Sequence, residues 1–373
     1  MSWQLGLARM AALLGRDLQR PARLAGGGAR LWSLAPAALE RLLRVDATAL
    51  GEVLAVRGTF DAAAERLALG ACGITHVGIG DPAYPARLAE IPDPPFGLFT
   101  MGTTAGRDRM RDVPVIAVVG SRRPTAFGMR FAHGLATSLA ALGAMVVSGL
   151  ALGIDAEAHA GALAAGCPTV AVLGAGVDIS SPRTNDMLRT QILTCGALLS
   201  EYWPGTEPAP WRFPARNRIV VGIADAVVVV ETGERSGALI TADFALEQGR
   251  PVLAVPGAPG AAASVGCNAL LRAGAAMCED VEDVIAECPE RAWDHVDTEV
   301  RALPSGLDGQ IYELLTREPL RADELGARVG GDAAAIAAAL GRLELDGYVV
   351  RGQAQRFWAA SRGSVTTQWT VPR

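Results

Sequence analysis

The sequence contains no lysine: all 34 of its cationic side chains are arginine. Any phosphate contact it makes is therefore with a guanidinium, which is planar, permanently charged and able to bind bidentately. Histidine is almost as scarce, with four scattered residues, and the six cysteines include no C-x-x-C pair. Structural zinc needs clustered ligands of those types, so none is expected. Cys72, Cys167, Cys195, Cys267, Cys278 and Cys288 read as reduced, mostly buried thiols of a cytoplasmic protein. No apolar run reaches the ~18 residues of a membrane span, so no membrane partner is expected. The stretch from Met1 to Leu14 has Arg9 inside its apolar part and no small-residue cleavage site, unlike a secretory signal. Two nucleotide signatures are missing as well. There is no G-x-x-x-x-G-K-[ST], which excludes a P-loop, and no G-x-G-x-x-G, which argues against NAD.

What is present is a chain of 373 residues, half of them hydrophobic and a fifth charged, with a net charge of −5. That is enough for two or three globular domains. The centre of organisation is the stretch 115–159. Val115 to Val119 is an apolar, β-branched run ended by Gly120, and Ser121, Arg122, Arg123 and Pro124 fill a tight loop. Phe127, Phe131, Leu135 and Leu139 then recur every four residues, as on one face of a helix. A second strand, Met145 to Val147, opens into Ser148-Gly149, and another helix follows from Asp155. This is a βαβ unit with parallel strands and a right-handed crossover. The loops behind Gly120 and Gly149 lead into helix N-termini, which suit phosphate. Strand two ends in Ser148 with no acid to hold a ribose, so two arginines without a nucleotide clamp suggest a polyanion backbone. The alternative is a glycine turn that only permits close packing. Asp155 and His159, four apart on one helix face, are expected to form a structural pair holding the Ser148–Asp155 loop.

Residues 1–80 are rich in Ala, Leu and Arg at helical spacing and read as a small helical domain with nine arginines and six acids. A proline-dense linker with a sheet-edge strand at Phe96–Phe99 spans 81–113. The central domain, 114–290, has further strand-like runs at Thr169–Leu173, Ala197–Ser200, Ala226–Glu231, Val252–Val255 and Ala275–Met277, with helices between. Continuous apolar strands of this kind are covered on both faces, giving a doubly wound, Rossmann-like parallel sheet with its crevice at the strands' carboxyl ends. Near that edge Trp211, Arg212, Phe213, Arg216, Asn217 and Arg218 interleave rings and guanidiniums, as suits a single nucleic-acid strand. A proline-rich loop covering the sheet edge is the other reading. After a charged linker at 291–304, residues 305–360 read as helix, helix, helix and two strands, a winged helix. Its third helix, Asp332 to Leu345, is mostly alanine with Arg342 as its one cation, and a groove-reading helix carries more. The tail 361–373 is expected to be disordered.

At these loops the sequence resembles the DNA-processing protein A family, also called DprA or Smf. The matching words are VGSRRPTAFG (119–128), SGLALGIDAEAH (148–159), VLGAGVDISSP (172–182), FPARNR (213–218), SGALITADFALEQGRPVLAVPG (236–257) and GCNALLRAGA (266–275). The resemblance implies a homodimer that binds single-stranded DNA without cutting it and loads the RecA recombinase onto incoming DNA during natural transformation. It implies no catalytic residue, cofactor or metal. The residues it marks for DNA are Gly120, Ser121, Arg122, Ser148, Gly149, Arg183, Phe213, Arg216, Asn217, Arg218, Ser236, Gly237, Thr241 and Asn268. Three positions depart from the family's usual pattern. Ser181 stands where Tyr precedes proline, Arg183 where lysine is common, and Cys267 where threonine is usual. The competing reading is a nucleoside-monophosphate-hydrolysing enzyme of related fold. Those enzymes carry Pro-Gly-Gly-x-Gly-Thr before a catalytic Glu, and the corresponding loop here, 231–237, lacks that word.

Overall fold

Nine of the apolar runs hydrogen-bond into one sheet in the computed structural model, which describes residues 2–234, 236–293, 304–345, 348–351 and 356–359. The strands are β1 Thr75–Gly78, β2 Gly97–Gly102, β3 Val115–Gly120, β4 Met145–Ser148, β5 Thr169–Val172, β6 Ala197–Ser200, β7 Ala226–Val230, β8 Val252–Ala254 and β9 Ala276–Met277. Their spatial order is β1-β2-β6-β5-β4-β3-β7-β8-β9, with every neighbour from β6 to β9 parallel. Alternate residues of each strand go to opposite faces. Val115, Ala117 and Val119 pack toward Ile219, Val220 and Ala242, while Ile116 and Val118 pack toward Leu135, Leu139 and Ala158. Both faces are thus buried under helices, and this is the Rossmann-like sheet the sequence implies.

The sheet's edge differs from expectation. The strand near Phe96 is β2, and it is not outermost: it pairs antiparallel with β6 on one side and with β1 on the other. β1 lies inside the stretch read as purely helical. Its four residues, THVG, bury only His76 and Val77, too little for any periodicity to show. Six helices precede it, from Trp3–Leu14 to Ala62–Ala71, around Leu7, Met10, Leu31, Leu39 and Val53. Leu5 and Ile74 also join Phe99, Val177 and Trp203 in a cluster on the sheet's edge. The N-terminal helices and the sheet accordingly form one compact unit, which ends at Trp293.

The second unit has helices Gly306–Arg317, Ala322–Val329 and Ala333–Leu345 and a small sheet of Leu320–Arg321, Val349–Arg351 and Arg356–Ala359, a winged helix. Ile311, Leu325, Ile336, Leu340 and Phe357 form its core. Arg342, the single cation of the third helix, is bound bidentately by Asp308. The Asp346-Gly347 turn, the tail 361–373 and most of the 291–304 linker lie outside the described residues. Among the described residues no helix is long and apolar enough to cross a membrane.

Candidate nucleic-acid interface

Sheet order reverses at β3, which has β4 on one side and β7 on the other. Open α/β sheets form their crevice at such a point, outside the carboxyl ends of the strands. A cleft of about 740 Å³ lies there, bounded by the loops after β3, β4 and β7 and by the start of helix Arg212–Ile223. Gly120 is required at its base, because a Cβ there would run into the carbonyl oxygen of the neighbouring Val230.

One carboxylate shapes the first loop. Glu231, just past β7, has φ 48°, in the left-handed region where a non-glycine residue costs on the order of 1–3 kcal/mol. Its carbonyl accepts the Ser121 N–H at 2.8 Å. Its carboxylate accepts the Thr125 N–H at 2.7 Å and the Thr125 hydroxyl, and Thr125 in turn caps helix Ala126–Ala141. Asp155 does the same for the second loop, accepting the N–H groups of Gly149 at 3.0 Å and Ala151 at 3.4 Å. The protein's own carboxylates thus sit beside the N-cap of one helix and in the first turn of the other, and they offset the positive ends expected to attract phosphate. Positive charge at this edge comes from side chains instead.

Ten of the fourteen residues marked for DNA line the cleft, all but Ser148, Arg183, Arg218 and Asn268. Arg122 and its neighbour Arg123 are exposed and have no carboxylate partner among the described residues. The Arg122 guanidinium lies over the Phe213 ring, 5.2 Å from its centroid, so one face of that ring is already covered. Asn217 donates to the Thr241 hydroxyl at 2.8 Å and to the Gly237 carbonyl at 3.3 Å. It thereby ties helix Arg212–Ile223 to the first turn of helix Gly237–Glu247, whose cap is Ser236. Ser181 lines a smaller adjoining hollow of about 110 Å³ with Arg122, Gly149 and Phe213.

Several expectations are corrected by the geometry. A helix is expected from Arg216 on, but it begins at Arg212, so FPARNR is helical throughout, and Pro214 sits in its first turn, where the missing N–H breaks no bond. Arg216 and Arg218, two residues apart, therefore point to sides about 200° apart. Arg216 is only 4% exposed and donates to the carbonyls of Gly149, at 2.8 Å, and Val172. Burial lowers its pKa, opposed by the charge of Asp155, while burial raises that of Asp155, opposed by Arg216. Arg216 is thus a brace under the cleft. Arg218 faces away from it, bound to Glu201 at 2.6 Å with Asp93 at 3.6 Å. Ser148 is fully buried and donates to the Val118 carbonyl at 2.7 Å. Asn268 exchanges hydrogen bonds with the backbone of Gly257, and Arg183 is exposed on a short turn outside the cleft lining. Asp155 and His159 do not bond to each other. The His159 Nδ1 meets the Thr169 hydroxyl at 2.8 Å, so each fixes a different segment.

Sequence reasoning placed Arg123 in the arginine loop without marking it as a contact, and it overlooked Pro210 and Ile240, which also line the cleft, and the organising Glu231. The one available signal for Glu231 was an acid ending the AVVVV run, since burial of such an end demands hydrogen-bond donors.

Comparison with known proteins fits this geometry. The sequence model described as DNA recombination-mediator protein A matches residues 75–289, and that described as the DprA winged helix domain matches 298–355. DNA processing protein DprA of Bacillus subtilis is 40% identical over 219 residues, covering 59% of this chain and 73% of the relative. Protein Smf of Synechocystis is 41% identical over 206 residues, so this chain spans 52% of that relative's length and 55% of its own is covered. The X-ray structure of DNA processing protein A from Streptococcus pneumoniae superposes with a TM-score of 0.58 at 34% identity, covering 77% of this chain and 93% of that one. A Helicobacter pylori structure, reported for its single-stranded DNA binding mode, gives 0.52 at 28% identity over 58% of this chain and 96% of that one.

Proposed function

The chain belongs to the DNA recombination-mediator protein A family, and from that premise we propose that it binds single-stranded DNA in the β3–β7 cleft during recombination of incoming DNA. The observation that carries the reading is the convergence of ten sequence-marked residues on one open cleft with Arg122 and Arg123 at its rim. A guanidinium stacked on an aromatic ring offers a base a flat surface and a phosphate a charge. The wider role follows the family: a cytoplasmic homodimer that hands the strand to the RecA recombinase, without chemistry of its own. Hydrolysis of nucleotides is disfavoured by Glu231, whose carboxylate is engaged by Thr125.

Titration of a fluorescent oligothymidylate across a salt series tests the reading. Each phosphate neutralised on a single strand contributes about −0.7 to the slope of log K against log salt. Replacing Arg122 and Arg123 by alanine should flatten the slope by roughly 0.7 per residue and weaken all sequences alike. An unchanged slope in a folded double variant removes the cleft from consideration. Ser or Ala at Arg218 should leave the slope as it is.

A further inference from the structure

Helix Arg212–Ile223 has a second cavity on its other side, about 500 Å³, enclosed with the first N-terminal helices and the Ile91–Gly97 segment. Ligand sites typically measure ~300–1,000 Å³. One wall is a layered aromatic surface. Tyr202 and Trp211 meet edge to face with centroids 6.2 Å apart, and the Arg212 guanidinium lies over both rings at 5.1 and 5.0 Å. Trp211 remains 45% exposed.

Two turns further along the same helix the lining is polar and unsatisfied. Arg218 is 7% exposed; its Nη2 is held by Glu201 and its Nε faces Asp93, but its Nη1 has no hydrogen-bond partner. The Asp93 Oδ1 and Gln248 Oε1, on residues that also line the cavity, are buried without partners as well. An unmatched buried donor or acceptor is costly, and the Nε atoms of Arg16 and Arg212, which line the same cavity, are unpaired too, so three donors and two acceptors here favour a ligand that pairs with some of them. Four arginines and four carboxylates line the cavity, so its formal charge is balanced and selects neither a phosphate nor an ammonium group. A flat, uncharged heterocycle whose edge presents N–H donors beside a carbonyl acceptor matches both parts of the lining.

We propose that this cavity is a nucleobase site, with the base stacked on Trp211 and its polar edge on Arg218, Asp93 and Gln248. The base comes either from a free nucleoside or from a bound strand. The second source is within reach because one short segment borders both hollows: Phe213 and Pro214 face the cleft, and Trp211 and Ala215 face the cavity. The proposal stands apart from strand binding in the cleft.

Equilibrium dialysis of the full chain against radiolabelled guanosine, with ribose as control, tests it. Guanosine should bind with Kd below about 1 mM and ribose should not. Trp211→Ala should weaken guanosine at least about fivefold, the lower end of a base–aromatic stack, and Asp93→Asn should weaken it too. Absence of guanosine binding overturns the proposal. So does binding that both folded variants retain at wild-type strength, since the nucleoside then sits elsewhere. Saturating oligothymidylate separates the sources: displacement of guanosine means that bases of the strand enter the cavity, and simultaneous binding means that it takes free nucleosides. A chain with Arg122 and Arg123 replaced by alanine should lose oligothymidylate affinity and keep guanosine. Failure of the cleft reading is thereby distinguishable from failure of this one.

Discussion

At the scale of single residues, burial decides which arginines can meet a ligand. Spacing and type made Arg122, Arg216 and Arg218 equivalent in the sequence, because all three sit in words shared with the family. Helical geometry separates them into a rim, a brace and an ion pair, and no one-dimensional pattern carries that distinction. Removing the brace leaves the carbonyls of Gly149 and Val172 without their donor and the buried Asp155 without its opposing charge. Arg216→Ala should therefore destabilise the fold by about 3–5 kcal/mol, as losing one partner of a buried charged pair does. Urea unfolding measures this, and a loss below 1 kcal/mol with weakened DNA binding would return Arg216 to the contact surface. His159 gives a pH signature. Burial, with the charge of Arg216 adding, pulls its pKa from 6.5 to about 3. Between those values the unfolded chain binds a proton that the folded one refuses, so stability falls as pH drops from 6.5, by up to about 1.4 kcal/mol per unit. His159→Gln should make that decline shallower in unfolding curves taken at pH 6.5 and 4.5; identical slopes would mean the ring is free to protonate.

At the scale of elements, the parallel strands were legible because a strand covered on both faces is a continuous apolar run. Helix starts were less so: Arg212 and Phe213 look like loop because Pro214 follows, yet a first-turn proline is compatible with a helix. β1 was invisible because pairing, rather than composition, makes it a strand. The tightest junction is β3 against β7 at Gly120. Gly120→Ala would push the strands apart against the Val230 carbonyl and Ile154, so a loss of about 1–3 kcal/mol or more is expected. Thermal unfolding reads it, and a Tm equal to wild type would show that the strands can give way.

At the scale of the whole molecule, the two units invite separation. The cut belongs after Trp293 rather than near Glu290, because Arg291 reaches back to Asp225 at 2.8 Å and Trp293 packs on the core around Cys288. A chain ending at Trp293 should keep its affinity for oligothymidylate within about tenfold, or ~1.4 kcal/mol. A larger loss in a binding titration would assign the winged helix a share of the strand. The antiparallel pairing of β2 with β6 has a separate consequence for how the protein is made. Gly102 leaves the ribosome well before its partner Ala197, and at ~5–20 residues per second the β1–β2 hairpin waits several seconds or more with its inner edge open. Nascent chains should be most vulnerable to mispairing and to capture by chaperones during that interval, so slow codons between the two strands would lower the yield of folded protein.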